Sequence, residues 1–213
     1  PWSAPGWMKD NDGLIRGALK PAYYPVFAAY LSRYLVEMTR RGLPVRWLTI
    51  QNEPRFEAPD YPGMHLDPSA RATIIGEHLG PILRARGQQT AILEWDHNWD
   101  HPEEPLAVLA DPHAARHIAG VAWHCYAGDP SSMARVKAAH PDKDLFLTEC
   151  SGGEWESDSW KALGWMADNL LIGAGRAGAL IALFAFERMV RRDRHRLRRH
   201  HLAHRCLLRI EPR

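Results

Sequence analysis

The sequence is poor in the features that usually classify a chain quickly. Three cysteines in 213 residues, Cys125, Cys150 and Cys206, with no Cys-x-x-Cys pair among them, are too few for a disulfide framework and give little indication of redox compartment. No Gly-x-Gly-x-x-Gly or Gly-x-x-x-x-Gly-Lys-Ser/Thr turn follows any strand-like segment, which weakens dinucleotide and nucleotide readings. The most apolar stretch, residues 170–186, is interrupted by Arg176 and Gly178 and is too short and broken to span a membrane. No signal peptide opens the chain, although a start at Pro1 rather than Met would hide one upstream. With 46% hydrophobic and 24% charged residues, the composition is that of a soluble, globular, mixed-class protein.

Charge is distributed unevenly. Residues 188–213 hold ten Arg against only Asp193 and Glu211, so the formal net charge of +2 hides an acidic body and a basic end. We therefore divide the chain into residues 1–187, a folded body, and 188–213, an Arg/His-rich tail.

The body alternates helical and strand patterns. Val26, Phe27, Tyr30, Leu31, Tyr34, Leu35 and Met38 fall at steps of three and four over residues 21–41, and Gly42 and Pro44 end that helix. A strand over 45–50 runs into Gln51-Asn52-Glu53-Pro54. Asp67 and Pro68 open a second helix, which closes near Gly87, and a strand over 90–95 follows. Asp111-Pro112 caps a short helix before a strand over 120–125. Pro130 opens another helix before a strand over 144–148, and a last helix covers about 157–174. A fifth strand is expected at 179–186, and Trp160 and Trp165 are expected in the core. Such alternation predicts βαβ units and a parallel sheet.

Chemically capable residues follow the strands: Asn52 and Glu53, Asp96 and His97, His124 and Tyr126, Glu149. An α/β barrel uses the C-terminal ends of its strands in this way, and we favour it over an open doubly wound sheet. A complete eight-stranded barrel takes about 250 residues, so this length predicts only part of one. Glu53 and Glu149 lie three strands apart, where they can face one bond from opposite sides; the alternative is that each pairs with an Arg at the rim. Cys125 beside His124 could suggest a thiol nucleophile, but neighbouring strand residues point to opposite faces. His97 and His101, four apart, sit in a segment that reads as an irregular loop with no third ligand at a recognisable spacing, so neither metal nor cofactor is expected.

Six segments carry a more specific signal. Pro1-Trp2-Ser3-Ala4-Pro5-Gly6-Trp7-Met8-Lys9, Thr49-Ile50-Gln51-Asn52-Glu53-Pro54, Asp60-Tyr61-Pro62, His78-Leu79-Gly80-Pro81, His124-Cys125-Tyr126 and Thr148-Glu149, in this order, resemble glycoside hydrolase family 30, the family of glucosylceramidase and related β-1,6-glucanases. The resemblance covers about residues 1–176. It implies a partial (β/α)8 TIM barrel from the end of the third strand to the seventh helix, with Glu53 as general acid/base and Glu149 as nucleophile. Those roles require a proton held at Glu53 and an ionised Glu149. Asn52 is placed to hydrogen-bond the sugar 2-hydroxyl. Trp2, Tyr61, Asp96, His124 and Tyr126 match pocket positions, and Trp155 is a further substrate-binding candidate in the loop after Glu149.

The implied function is a retaining, glucosylceramidase-like hydrolase acting on a β-glucoside, glycolipid or β-glucan, with endo-β-1,6-glucanase as the alternative and an extracellular or secreted location. Nucleic acid is not expected as a partner, and the sequence does not give the oligomeric state. Past Arg176 the resemblance stops. The tail reads as out-of-frame translation of a GC-rich gene; a disordered, polyanion-binding segment and a solvated helix are its alternatives, and the rival of the enzyme reading is a catalytically incompetent fragment or a polyanion-binding protein. A barrel lacking strands is expected to be unstable alone or to associate.

Overall fold

The computed structural model describes residues 1–152, 158–186 and 206–207. Five strands lie side by side and parallel: β1 (Trp47–Thr49), β2 (Ala91–Asn98), β3 (Ile118–His124), β4 (Asp144–Glu149) and β6 (Ala179–Phe186). The two-residue β5 (Ser151–Gly152) pairs with β6, and β7 (Cys206–Leu207) pairs with it antiparallel. The register runs through Leu48↔Ile92, Leu93↔Gly120, Val121↔Leu145 and Leu147↔Ala182. From β1 to β4 and on to β6, each strand neighbours the next long one in sequence with no reversal of order, the arrangement of a barrel arc rather than a doubly wound sheet. The fifth expected strand is β6.

Apolar strands buried on both faces suit this parallel layout. Ile92, Val121, Leu145 and Leu147 join the main core, while Leu93, Ala122 and Phe146 form a separate small cluster on the other face. Gly120 has no Cβ because one would stand 2.8 Å from Cε2 of Phe146.

Helix α1 (Tyr24–Arg40) buries Phe27, Ala28, Leu31 and Leu35 and ends at Gly42, whose φ of +75° no β-branched residue tolerates. Val26, Tyr30 and Tyr34, expected on the same buried stripe, are exposed, because the described residues pack only one side of the helix. Helix α2 (residues 68–85) is capped by Asp67, which accepts from Ala70 N at 2.8 Å. Its middle, Ile74–Leu79, widens to π-helical turns just before Pro81, which has no N–H to give to the preceding turn.

Helix α3 (Glu103–Leu109), absent from the sequence-based reading, precedes α4 (Pro112–Ala115), for which Asp111 is the expected cap. Buried Arg71 joins α2 to β2 and α3, with Nε 2.7 Å from Glu94 Oε1 and Nη2 3.1 Å from Glu104 Oε2. Helix α5 (Ser131–Ala139) leads to β4, and α6 (residues 159–176) leads to β6. Trp160 and Trp165 are not core residues: they are 81% and 43% exposed, since α6 packs inward through Met166, Leu170 and Ala174. Among the described residues the buried tryptophans are Trp95, Trp99 and Trp123. Among the described residues no helix is long and apolar enough to cross a membrane. Trp155 and nearly all of the 188–213 tail lie outside the described residues.

Candidate active site

Parallel strands deliver their C-terminal ends to one rim, and the polar residues converge there. Thr49 ends β1, and Glu53 follows with φ +46°, its N–H donating to Asp96 O at 2.9 Å. At the end of β2 the backbone kinks: Trp95 and Asp96 take φ values of +76° and +58°, and the register with β3 shifts between Trp95 and His97. Side chains rarely occupy this left-handed region without surrounding structure to enforce it. The kink breaks the alternation of faces, so that Asp96 and its neighbour His97 both approach the site.

His124 occupies the centre. Its Nδ1 lies 3.0 Å from Glu53 Oε1, and its Nε2 lies 3.2 Å from Asp96 Oδ1 and 3.8 Å from Glu149 Oε2. Asp96 is fixed in turn by Thr49 Oγ1, which donates to Oδ2 at 2.6 Å, and by Thr148 Oγ1, which donates to Oδ1 at 2.8 Å. Burial would raise the Asp96 carboxyl, but the donors from His124, Thr49 and Thr148 outweigh it and hold the group below the usual carboxylate range. Burial likewise opposes charge on His124, yet the bonds to Asp96 and Glu53, with the charges of Asp96 and Glu149, carry its pKa up to about 9. At neutral pH it is an imidazolium donating to two carboxylates.

Glu149 accepts from Tyr126 Oη at 3.0 Å, and that hydroxyl also lies 3.1 Å from Ser151 Oγ. Neither glutamate pairs with an Arg among the described residues; imidazoles and a phenol face them instead. The side chain of Asn52 makes no hydrogen bond among the described residues, while its N–H donates to Pro1 O at 2.7 Å. Trp2 and Tyr61 stack in a tilted pair with ring centroids 5.2 Å apart, and both remain partly exposed. Burial, followed by the charges of Glu53, Asp60 and Glu149, raises the Tyr61 phenol, which places that ring within electrostatic reach of both glutamates. An aromatic pair, carboxylates, an imidazole and an amide thus stand together at one rim.

Three site features were not legible in the sequence. His97 points its Nδ1 at Glu53 Oε1 across 3.6 Å, while His101 turns aside to Glu103, 2.7 Å away. Lys9 is fully buried and its Nζ donates to Ser3 Oγ, Leu14 O and Gly63 O, each at 2.9 Å, binding together the loops that carry Trp2 and Tyr61. Cys125 and Cys150 form a disulfide, their Cα atoms 5.3 Å apart. Each directly follows a site residue, and both turn into the protein, so no thiol is available there as a nucleophile. Glu53, His97 and His124 each offer one metal-ligating atom, all within 4.8 Å of one another.

The model of the glycosyl hydrolase family 30 TIM-barrel domain matches residues 1–169. The chain belongs to this family. It is 36% identical over 166 residues to an endo-1,6-β-D-glucanase of Neurospora crassa, covering 75% of this chain and 34% of that protein. It is 26% identical over 179 residues to the lysosomal acid glucosylceramidase of Mus musculus, covering 78% of this chain and 35% of that protein. The solved structure of the endo-β1,6-glucanase BT3312 superimposes with a TM-score of 0.81 at 26% identity, covering 88% of this chain and 44% of that one. The chain thus spans about a third of the length of the curated relatives it matches. The family 30 match over residues 1–169 agrees with the partial barrel.

Proposed function

We propose that the site belongs to a retaining β-glycosidase of family 30, with Glu149 as nucleophile and Glu53 as acid/base. Glu149 attacks the anomeric carbon and the glycosidic C–O bond breaks as Glu53 protonates the departing oxygen. Water, deprotonated by Glu53, then hydrolyses the glycosyl-enzyme and frees Glu149. The observation that carries this reading is the single imidazole of His124, which touches Glu53 with one nitrogen and faces Glu149 with the other. Two carboxylates joined in that way share one opening, as double displacement requires. His124 Nδ1 lies 3.0 Å from the Glu53 oxygen that must deliver the proton and fixes where it stands. Asn52, Asp96, Trp2, Tyr61 and Tyr126 then bind the sugar or orient the two carboxylates.

The substrate we favour is a β-1,6-linked glucan rather than glucosylceramide. The similarity to the fungal β-1,6-glucanase, 36% against 26% for the mouse glucosylceramidase, supports this order.

The test is hydrolysis of a linear β-1,6-glucan and of glucosylceramide, with the anomer released followed by NMR. Glucan cleavage with retention, lost by several orders of magnitude in both Glu53→Gln and Glu149→Gln, is the expected result. Azide distinguishes the roles: it restores turnover of Glu149→Gly as an α-glycosyl azide and of Glu53→Ala as a β-glycosyl azide. Inversion, or unchanged rates in both Gln variants, rejects the assignment. Faster cleavage of glucosylceramide reverses the substrate order.

A further inference from the structure

We propose that Glu53, His97 and His124 form a reversible binding site for a transition-metal dication of the zinc type, and that its occupation switches the site off. The ligand atoms are nearly in place. Oε1 of Glu53 lies 3.0 Å from His124 Nδ1 and 3.6 Å from His97 Nδ1. Ligands about 2.0–2.2 Å from a tetrahedral ion stand about 3.4 Å from one another, so small side-chain rotations close the set.

Two independent observations point to a ligand. The first is the state of His97: its side chain is only 10% exposed, yet Nδ1 has no hydrogen-bond partner and is aimed at the Glu53 carboxylate. A buried ring nitrogen left without a partner is uncommon and costly, and packing against Trp95, 5.0 Å away by ring centroids, does nothing for it. The second is the support behind His124. Its other nitrogen is held by Asp96 at 3.2 Å, and Asp96 is held by the hydroxyls of Thr49 and Thr148. A carboxylate that orients the far side of a ligating imidazole is the usual outer shell of a protein metal site.

The donor set selects the ion. Two imidazoles and one carboxylate suit Zn²⁺, Cu²⁺ or Ni²⁺; Ca²⁺ and Mg²⁺ want more oxygen ligands than the site supplies. Three protein ligands leave a position open for water or a sugar hydroxyl. The ion takes the place of the proton between Glu53 and His124, so the carboxylate can no longer serve as an acid. Only this loss of activity rests on the glycosidase reading; binding itself does not.

The test uses the full chain, stripped with a chelator and titrated with Zn²⁺ by calorimetry. The tail histidines His195, His200, His201 and His204 can also take the ion, so the informative quantity is a difference between variants. Wild type is expected to bind one more equivalent than His97→Phe, His97→Gln or Glu53→Gln, and His101→Gln is expected to match wild type. Zn²⁺, but not Mg²⁺ or Ca²⁺, is expected to suppress turnover reversibly. The concentration for half-inhibition should rise by about tenfold or more in His97→Gln, each protein being compared with its own metal-free rate. Equal stoichiometry in wild type and folded His97 variants overturns the site. Binding without inhibition overturns its regulatory effect. Site-specific binding in a chain with no turnover on any glycoside leaves the site standing and counts against the glycosidase reading instead.

Discussion

Nδ1 of His124 lies 3.0 Å from Oε1 of Glu53, and this contact makes the fold sensitive to alkali. The bonds to Asp96 and Glu53 raise the imidazole from 6.5 to about 9 against the effect of burial. A group raised in the folded state contributes stability that is complete below its unfolded value and is lost as pH rises through the folded one. Burial has the opposite net result on His97, which it lowers to about 4 despite the Glu53 charge; that contribution is present above 6.5 and lost as pH falls through about 4. Urea midpoints measured from pH 4 to 10 should therefore peak near the middle of the range. His124→Gln should flatten the alkaline limb and His97→Gln the acid limb. An alkaline limb that survives in His124→Gln would show that another group is responsible.

Tyr126 is the donor that meets Glu149. Burial and the adjacent Glu149 charge push its phenol up to about 12, so it keeps its proton throughout the working range of pH. A hydrogen bond to a charged acceptor contributes about 1.5–3 kcal/mol. Tyr126→Phe is expected to lower kcat by about 10- to 150-fold with little change in KM, read from steady-state kinetics on an aryl β-glucoside. An unchanged kcat would mean that the bond has no part in setting the nucleophile.

The bridge between Cys125 and Cys150 closes a loop with a sequence separation of 25. Chain entropy assigns such a loop about 3 kcal/mol. Replacing both cysteines by alanine, or reducing the bridge, should lower the unfolding free energy by about that amount. Because the bridge links the residues next to His124 and Glu149, turnover of the still-folded variant should fall as well. Equal stability with and without reductant would argue against the bridge in solution.

Lys9 Nζ gathers two carbonyls and a hydroxyl, sharing Leu14 O with Ser3 Oγ at 2.9 Å and Gly63 N at 3.2 Å. Lys9→Met removes the charged donor these acceptors share, and a loss of about 1–3 kcal/mol is expected. Since Ser3 and Gly63 flank Trp2 and Tyr61, the same change should raise KM for glucan more than it lowers kcat. A pure kcat effect would place the influence of Lys9 elsewhere.

Much of this site could be read from the chain because its logic is local. A strand pattern that breaks into polar residues marks the rim, and Glu53, Asp96, His124, Tyr126 and Glu149 all meet there. The caps Asp67 and Asp111 and the stop at Gly42 follow from backbone chemistry alone. His97 stands among the residues after the strands, but residues 97–101 read as an irregular loop with no third ligand, and spacing does not show that the left-handed backbone at Trp95 and Asp96 turns it towards Glu53. The same alternation correctly turned Cys125 and Cys150 away from the site, but two side chains leaving adjacent strand ends on one side can also meet, and spacing does not show it. Trp160 and Trp165 failed because an apolar side chain on a helix is buried only where a partner surface reaches it.

Three of the five non-glycine residues at positive φ among the described residues, Glu53, Trp95 and Asp96, lie beside the imidazoles of His97 and His124. Glycine would relax the backbone of each by about 1 kcal/mol, but at buried Trp95 the lost side chain costs about 3–5 kcal/mol. A search for hardier variants by random mutation and heat selection should therefore reach glycine at half-buried Glu53, the proposed acid/base, sooner than at Trp95. On the proposed mechanism durability and turnover are opposed at Glu53, and robust descendants are better sought among substitutions on the outer helices.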